Sequence, residues 1–156
     1  MEITRHFTAT TFIVRRDRVL LHLHQKLGIW LPVGGHIDRD ELPEEAARRE
    51  AMEETGLQVR LHHPDGQIDF RDGARHLHRP AHLLLENINP FHQHIDFIYY
   101  ATVTGGEFVP EDGGPENYHW FTAEELESDA WVLPENARVL ALEALALLGE
   151  AVGNNE

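Results

Sequence analysis

The chain has 156 residues, 42% of them hydrophobic, which suits one domain with a core of its own. Its formal charge of −14 excludes a nonspecific nucleic-acid binder, which needs a basic face to displace counterions. The absence of cysteine excludes disulfides, thiol catalysis and cysteine-held zinc. The opening Met1–His6 has no basic stretch followed by an apolar core. No apolar run approaches the roughly 20 residues that cross a bilayer. The expected setting is therefore cytoplasmic.

Thr8–Val14, rich in Thr, Phe, Ile and Val, predicts a first strand, and Val19–His24 returns after the polar turn at Arg15–Arg18. Gln25–Val33 reads as a loop carrying Trp30, and Gly34-Gly35 lets backbone approach a ligand closely. Leu42–Thr55 is a run of strong helix formers, with Pro43 near its first turn and Gly56 just past its end. Gln58–Leu61, Gln67–Phe70, Ala81–Leu85, Ile95–Thr104 and a short Glu107–Val109 follow as strand candidates, then Tyr118–Phe121 as the last strand. Thr122 is the expected N-cap of a short helix at Ala123–Glu127. Pro134–Leu148 predicts a second long helix packed on the sheet through an apolar stripe of Val139, Leu140, Leu142, Leu145, Ala146 and Leu148. Residues 149–156 read as a frayed tail, and no repeat or linker divides residues 1–156.

The most informative stretch runs from Gly35 to Leu57. Gly35 is followed after five residues by Glu41, and after seven more by Arg49-Glu50-Ala51-Met52-Glu53-Glu54-Thr55-Gly56-Leu57. On a helix Glu50, Glu53 and Glu54 stand at i, i+3 and i+4, so their carboxylates project from one side. Three like charges so close destabilise one another unless a cation lies between them, and hard carboxylate oxygens favour Mg²⁺ or Mn²⁺ over zinc. Arg49 points about 100° away from Glu50 around the helix, toward a bidentate ion pair with Glu41 that would pin loop to helix. A solvated acidic helix face would account for the acids alone, but not for the glycine pair, Glu41 and Arg49 that accompany them.

At these residues the chain resembles the Nudix (MutT-like) hydrolases. Every fixed position of their box is met, by Gly35, Glu41, Arg49, Glu50, Glu53, Glu54 and Gly56, with Ala51 and Leu57 at the aliphatic places. Val33 precedes Gly34-Gly35 where relatives often have proline, and Asp40 precedes Glu41 where they often have glycine. The resemblance implies a single-domain α/β fold, an α/β/α sandwich of a mixed β-sheet flanked by helices. It implies Mg²⁺- or Mn²⁺-dependent hydrolysis of a pyrophosphate bond in a nucleoside diphosphate linked to another moiety X. The first metal ligands would be Glu50 and Glu54, with Glu53 sharing the cluster and the Gly34 carbonyl as a further ligand. Glu41 and Arg49 would hold the loop. An additional base or ligand is expected from a loop beyond the box, with Glu116 chosen over Glu111 and Asp112. The general base stays open between Glu50, Glu53 and Glu116. A catalytically silent Nudix-like nucleotide-binding or sensor module is the alternative. A cysteine-using isomerase lacks its cysteine, and RNA cap hydrolysis suits the charge poorly. The expected partner is a small nucleotide or other diphosphate, with neither membrane nor long nucleic acid, and a homodimer is left open.

Two further clusters invite function. His92-Gln-His94-Ile-Asp96 alternates so that two imidazoles and a carboxylate share one strand face. The readings are a polar wall of the substrate cleft, a solvated strand end, or a zinc site that would need ligands from elsewhere. Arg71, Arg75, His76, His78, Arg79 and His82 form the one cationic concentration in an acidic sequence. Arg75 and Arg79 are candidates to hold a substrate phosphate or distal ribose, against a reading in which the segment only balances surface charge.

Overall fold

The computed structural model describes residues 2–64, 66–111 and 114–150. Eight strands form one mixed sheet: β1 (Thr4–Arg15), β2 (Arg18–His24), β3 (Ile29–Leu31), β4 (Val33–His36), β5 (Leu57–Leu61), β6 (His82–Asn89), β7 (His92–Gly106) and β8 (Tyr118–Thr122). The path runs β3-β2-β1-β7-β5, with β4 beside β1, β6 beside β7 and β8 beside β2. Among the described residues only β1 and β7 pair in parallel, with His6 opposite His94 and Thr8 opposite Asp96. Three helices cover it: α1 (Pro43–Thr55), α2 (Ala123–Glu127) and α3 (Glu135–Leu148). None of the described helices is long and apolar enough to cross a membrane.

Strand alternation divides the core in two. Ala9 and Ile13 of β1 face α1, where Ala46, Ala47 and Ala51 let the helix lie close to the sheet. Phe12 and Val14 face the other way and pack with Leu140, Ala141 and Ala144 of α3 and Leu126 of α2. Helix layers on both faces of the sheet give the expected α/β/α sandwich.

The helix ends follow from their residues. Pro43 occupies the first turn of α1, and the Glu45 carboxylate accepts the Leu42 N–H at 2.8 Å. Gly56 closes α1 in the left-handed region at φ 77°, and its N–H reaches the Met52 carbonyl at 2.8 Å. A side chain there would also meet the Glu107 carbonyl. Thr122 caps α2 by accepting the Glu125 N–H at 3.2 Å, as its position in the sequence suggests.

Five local expectations change. Glu107–Val109 is not a strand; the segment runs past the end of α1, where the Val109 and Glu111 N–H groups satisfy the Thr55 and Glu54 carbonyls at 2.7 and 2.9 Å. Helix ends leave such carbonyls without intrahelical donors, and this demand outweighs local β-propensity. Among the described residues, Gln67–Phe70 finds no sheet edge and makes an isolated bridge, Asp69 to Arg75. The segment Gln25–Val33 is not all loop, because Ile29–Leu31 pairs with the far end of β2. Strand β7 begins at His92, so His92 and His94 lie within the sheet. Of the expected frayed tail, Gly149 and Glu150 are ordered against Leu145 and Arg16, and 151–156 lie outside the described residues.

Candidate active site

The box folds into one unit in which β4 delivers the glycine pair to α1. Gly34 and Gly35 pair with Thr10 and Ala9 of β1, so their backbone is fixed by the sheet. The Gly34 N–H donates to Glu54 Oε2 at 2.9 Å. Gly35 lies so close to the Glu50 carboxylate that a Cβ there would overlap it, so a side chain at this position would push that carboxylate from its place. The three carboxylates thus occupy different environments: Glu50 half-buried under Gly35, Glu54 anchored on Gly34, Glu53 exposed.

Arg49 pairs with Glu41 as the sequence predicts, through Nε to Oε2 at 2.6 Å and Nη2 to Oε1 at 3.0 Å. Its reach exceeds the expectation from helix geometry. Although its Cα–Cβ bond starts about 100° away from that of Glu50, the long side chain curls back, and Nη1 donates to Glu50 Oε1 at 2.9 Å and Glu53 Oε2 at 3.1 Å. Nη2 also holds the His36 carbonyl at 3.1 Å. One guanidinium therefore joins loop, strand and helix. It lowers the Glu41 pKa, chiefly by hydrogen bonding, and is itself pushed up by Glu41. Glu50 moves the other way: burial raises its pKa, and the charges of Glu53 and Glu111 add to the rise, against Arg49.

That donor set fits a hard divalent cation. It consists of carboxylates from one helix face: Glu54 on the Gly34 N–H, Glu50 against Gly35, and Glu50 and Glu53 sharing Arg49 Nη1, with the half-buried Glu50 disfavoured as a charge. A dication joining Glu50 and Glu53 would compete with Arg49 Nη1 for the same oxygens.

Glu111, one of the three late-loop candidates, comes beside this cluster because its N–H bonds the Glu54 carbonyl. Glu116 lies in the turn Pro115–Asn117 with its carboxylate folded back toward Gly114, while the neighbouring Asn117 lines the cleft. Asp112 lies outside the described residues. The cleft holds about 430 Å³ and is walled by His22, Leu23, His24, Lys26, Glu54 and Asn117. Lys26 and His24 escaped the sequence reading because a lone lysine after a strand carries no spacing signal.

A second, smaller cavity of about 140 Å³ lies on the α3 face, between Phe12, Leu31, Pro32, Leu84 and Leu140. Its polar members are Thr10, Glu86, Asp96 and Asn136. Asp96 is buried and accepts hydrogen bonds from Thr8 Oγ1 at 3.0 Å and Thr10 Oγ1 at 2.8 Å. Burial and the adjacent Asp96 charge push the Glu86 pKa up to about 7. Glu86 was missed because its role depends on pairing β6 with β7, which local pattern does not reveal.

The remaining candidates separate. His92 and His94 share a face with His6 and His36, while Asp96 is turned into the threonine and Glu86 network. Burial and the neighbouring His36 and His92 lower the His94 pKa. The basic segment is not gathered into one patch. His78 docks on Glu44 in the first turn of α1 at 2.9 Å, His82 pairs with Glu143, and Arg75 lines a separate depression with Gln67, Asp69 and His76. Glu44 lies ten residues before Glu54, about 15 Å along the helix, and neither Arg75 nor Arg79 is among the residues lining the Glu54 cleft.

The NUDIX domain model matches residues 4–142. A Nudix-family hydrolase from Clostridium perfringens is 47% identical, with 93% of this chain and 99% of that one covered and a TM-score of 0.79. An ADP-ribose pyrophosphatase from Streptococcus suis, 22% identical over 90% and 92% of the two chains with a TM-score of 0.57, shares the fold. Zebrafish oxidized purine nucleoside triphosphate hydrolase is 37% identical over 70 residues, and the match spans 45% of that protein and 43% of this chain. With a complete box folded around the glycine pair and a family match over most of its length, the chain belongs to the NUDIX family.

Proposed function

We propose that the chain is a pyrophosphohydrolase that cleaves a pyrophosphate bond in a small nucleoside diphosphate linked to a group X, with Mg²⁺ or Mn²⁺. The family supports the hydrolysis of such bonds in general terms. The observation that carries the reading is the convergence of Glu50 and Glu54 on the Gly34-Gly35 backbone, with Glu54 opening into the 430 Å³ cleft.

Glu50 and Glu54 would hold the cation, with Glu53 and the Gly34 carbonyl as further ligands. When bound, the metal supplies charge neutralisation on the phosphate oxygens and a lower pKa for water. The protein groups do the rest. Glu41 and Arg49 keep β4 and α1 in register. Lys26 offers the phosphate chain a cation at the rim of the cleft. Glu53, Glu111 and Glu116 are the carboxylates from which a general base would be drawn, Glu111 having the nearer placement. The cavity between Phe12, Leu31 and Leu140 suits a planar organic group, with Asp96 and the protonatable Glu86 to read its donors and acceptors.

A panel of nucleoside triphosphates, oxidised purine nucleotides, sugar nucleotides, ADP-ribose and dinucleoside polyphosphates, assayed with each cation, tests this. Release of two phosphate-bearing products from at least one member, abolished by chelation, is the expected result. Tight binding without turnover across the panel would instead support a silent binding module.

A further inference from the structure

Histidines from three adjacent strands meet on the α3 face of the sheet, on the opposite side from the box carboxylates. His6 of β1 stands directly opposite His94 of β7, and His36 ends β4 on the far side of β1. Gly35 faces Glu50 on the α1 side, so strand alternation turns His36 to the other. One ligand nitrogen from each of His6, His36 and His94 lies within 4.8 Å of the others. His92 completes the group, with its ring centroid 4.6 Å from that of His6 and 5.0 Å from that of His94.

Other histidines in the chain have carboxylate partners: His78 with Glu44, His82 with Glu143, His119 with Glu125. Among the described residues, no protein hydrogen bond engages the rings of His6, His36 or His94. Their ring nitrogens are left to each other and to solvent. His92 Nδ1 lies 3.1 Å from the Thr4 carbonyl, which can only accept, so the proton sits on Nδ1 and the Nε2 lone pair is free for a ligand.

We propose that His6, His36 and His94 form a second metal site, separate from the box and selective for a borderline transition-metal dication such as Zn²⁺, Ni²⁺ or Cu²⁺. Neutral imidazole nitrogens bind such ions and discriminate against Mg²⁺. A tetrahedral ion with nitrogens at about 2.0–2.1 Å would draw the three ligand nitrogens to roughly 3.4 Å apart. His6 and His36 are exposed and can make that movement by side-chain rotation. His92 or water takes the fourth position. Asp96 is not a ligand, because Thr8 and Thr10 already occupy its oxygens. The alternation of His92, His94 and Asp96 thus misidentifies one member of the set, and the partners it lacks come from β1 and β4. The site touches the box through its backbone, since the His36 carbonyl is held by Arg49.

The test uses the full chain stripped of metal, with Zn²⁺ as the probe in saturating Mg²⁺, followed by calorimetry and by competition with a chromophoric chelator. One equivalent should bind despite the Mg²⁺, and X-ray absorption should show imidazole nitrogens around it. His6→Gln and, separately, His94→Gln should each weaken binding at least tenfold. His82→Gln, which alters a histidine already paired with Glu143, should not. His6 is exposed and makes no side-chain hydrogen bond, so His6→Gln keeps the test decisive if the His94 variant folds poorly. Displacement of Zn²⁺ by Mg²⁺, full affinity in His6→Gln, or equal weakening in His82→Gln would overturn the site.

Discussion

Replacing Arg49 measures how firmly the box is tied together. Its side chain is 28% exposed and that of Glu41 14%, so the pair stands between the surface case, worth about 0–1 kcal/mol, and the buried one, where losing a partner costs about 3–5 kcal/mol. Two well-formed bonds, at 2.6 and 3.0 Å, place the expected coupling near 2 kcal/mol in a cycle of Arg49→Gln, Glu41→Gln and the double variant. In a chain of this size that corresponds to a melting shift of about 4–8 °C. Arg49→Gln alone should cost more than Glu41→Gln, because Glu50 and Glu53 also lose their cation. Acid supplies a second check. Arg49 lowers the Glu41 pKa, so the stability it contributes is present above the ordinary glutamate value of 4.5 and is lost as pH falls through the lower folded value. The coupling should fade over that window. Urea denaturation of the four proteins at neutral and acid pH reads both effects. Coupling under about 0.5 kcal/mol at neutral pH, or coupling indifferent to acid, would refute the clamp.

Glu50→Gln and Glu54→Gln should each lower turnover at least about a hundredfold on a confirmed substrate, since they are the first proposed ligands. Burial already disfavours the Glu50 charge, so the melting temperature of Glu50→Gln without metal should hold or rise; near-normal turnover of both variants would remove them from the metal site. Glu86 has its pKa raised to about 7, so its contribution to stability is complete below 4.5 and is lost as pH climbs toward 7. The full shift would correspond to about 3 kcal/mol, and partial solvation at the cavity rim reduces this to about 1–2 kcal/mol. Denaturation profiles of Glu86→Gln should be flatter than those of the parent across that range, and parallel profiles would reject the shift. Lys26→Ala should raise KM with kcat nearly unchanged, less so in high salt, whereas Arg75→Ala and Arg79→Ala, away from the cleft, should leave KM alone. A KM increase in the two arginine variants but not in Lys26→Ala would return the phosphate contact to the basic segment.

The parts of this site legible in the sequence are those whose geometry is local. Glu50, Glu53 and Glu54 share a helix face by their spacing alone, Gly56 ends that helix by its freedom to adopt φ 77°, and Arg49 reaches Glu41 across one short loop. What the sequence hides is set by pairing between distant strands. Glu86 acquires its altered proton affinity only because β6 lies beside β7 and places it against Asp96, and His6 and His94 become neighbours only through the parallel β1–β7 register. The basic segment misleads for the same reason. Its charges are consecutive in the chain, but the fold distributes them among Glu44, Glu143 and a separate depression, so clustering along the sequence is not clustering in space. The helix residues proposed to bind metal and the sheet residues proposed to read the substrate's organic group are therefore constrained differently. A change of substrate can arise from strand positions such as Glu86, Asp96 and Leu31 without disturbing Glu50 or Glu54. The stretch from Leu31 through Gly34 is where the two sets meet, with Leu31 and Pro32 walling the cavity and the Gly34 N–H fixing Glu54 only two residues later. Substitutions in that short stretch should therefore be the ones that alter specificity and turnover together.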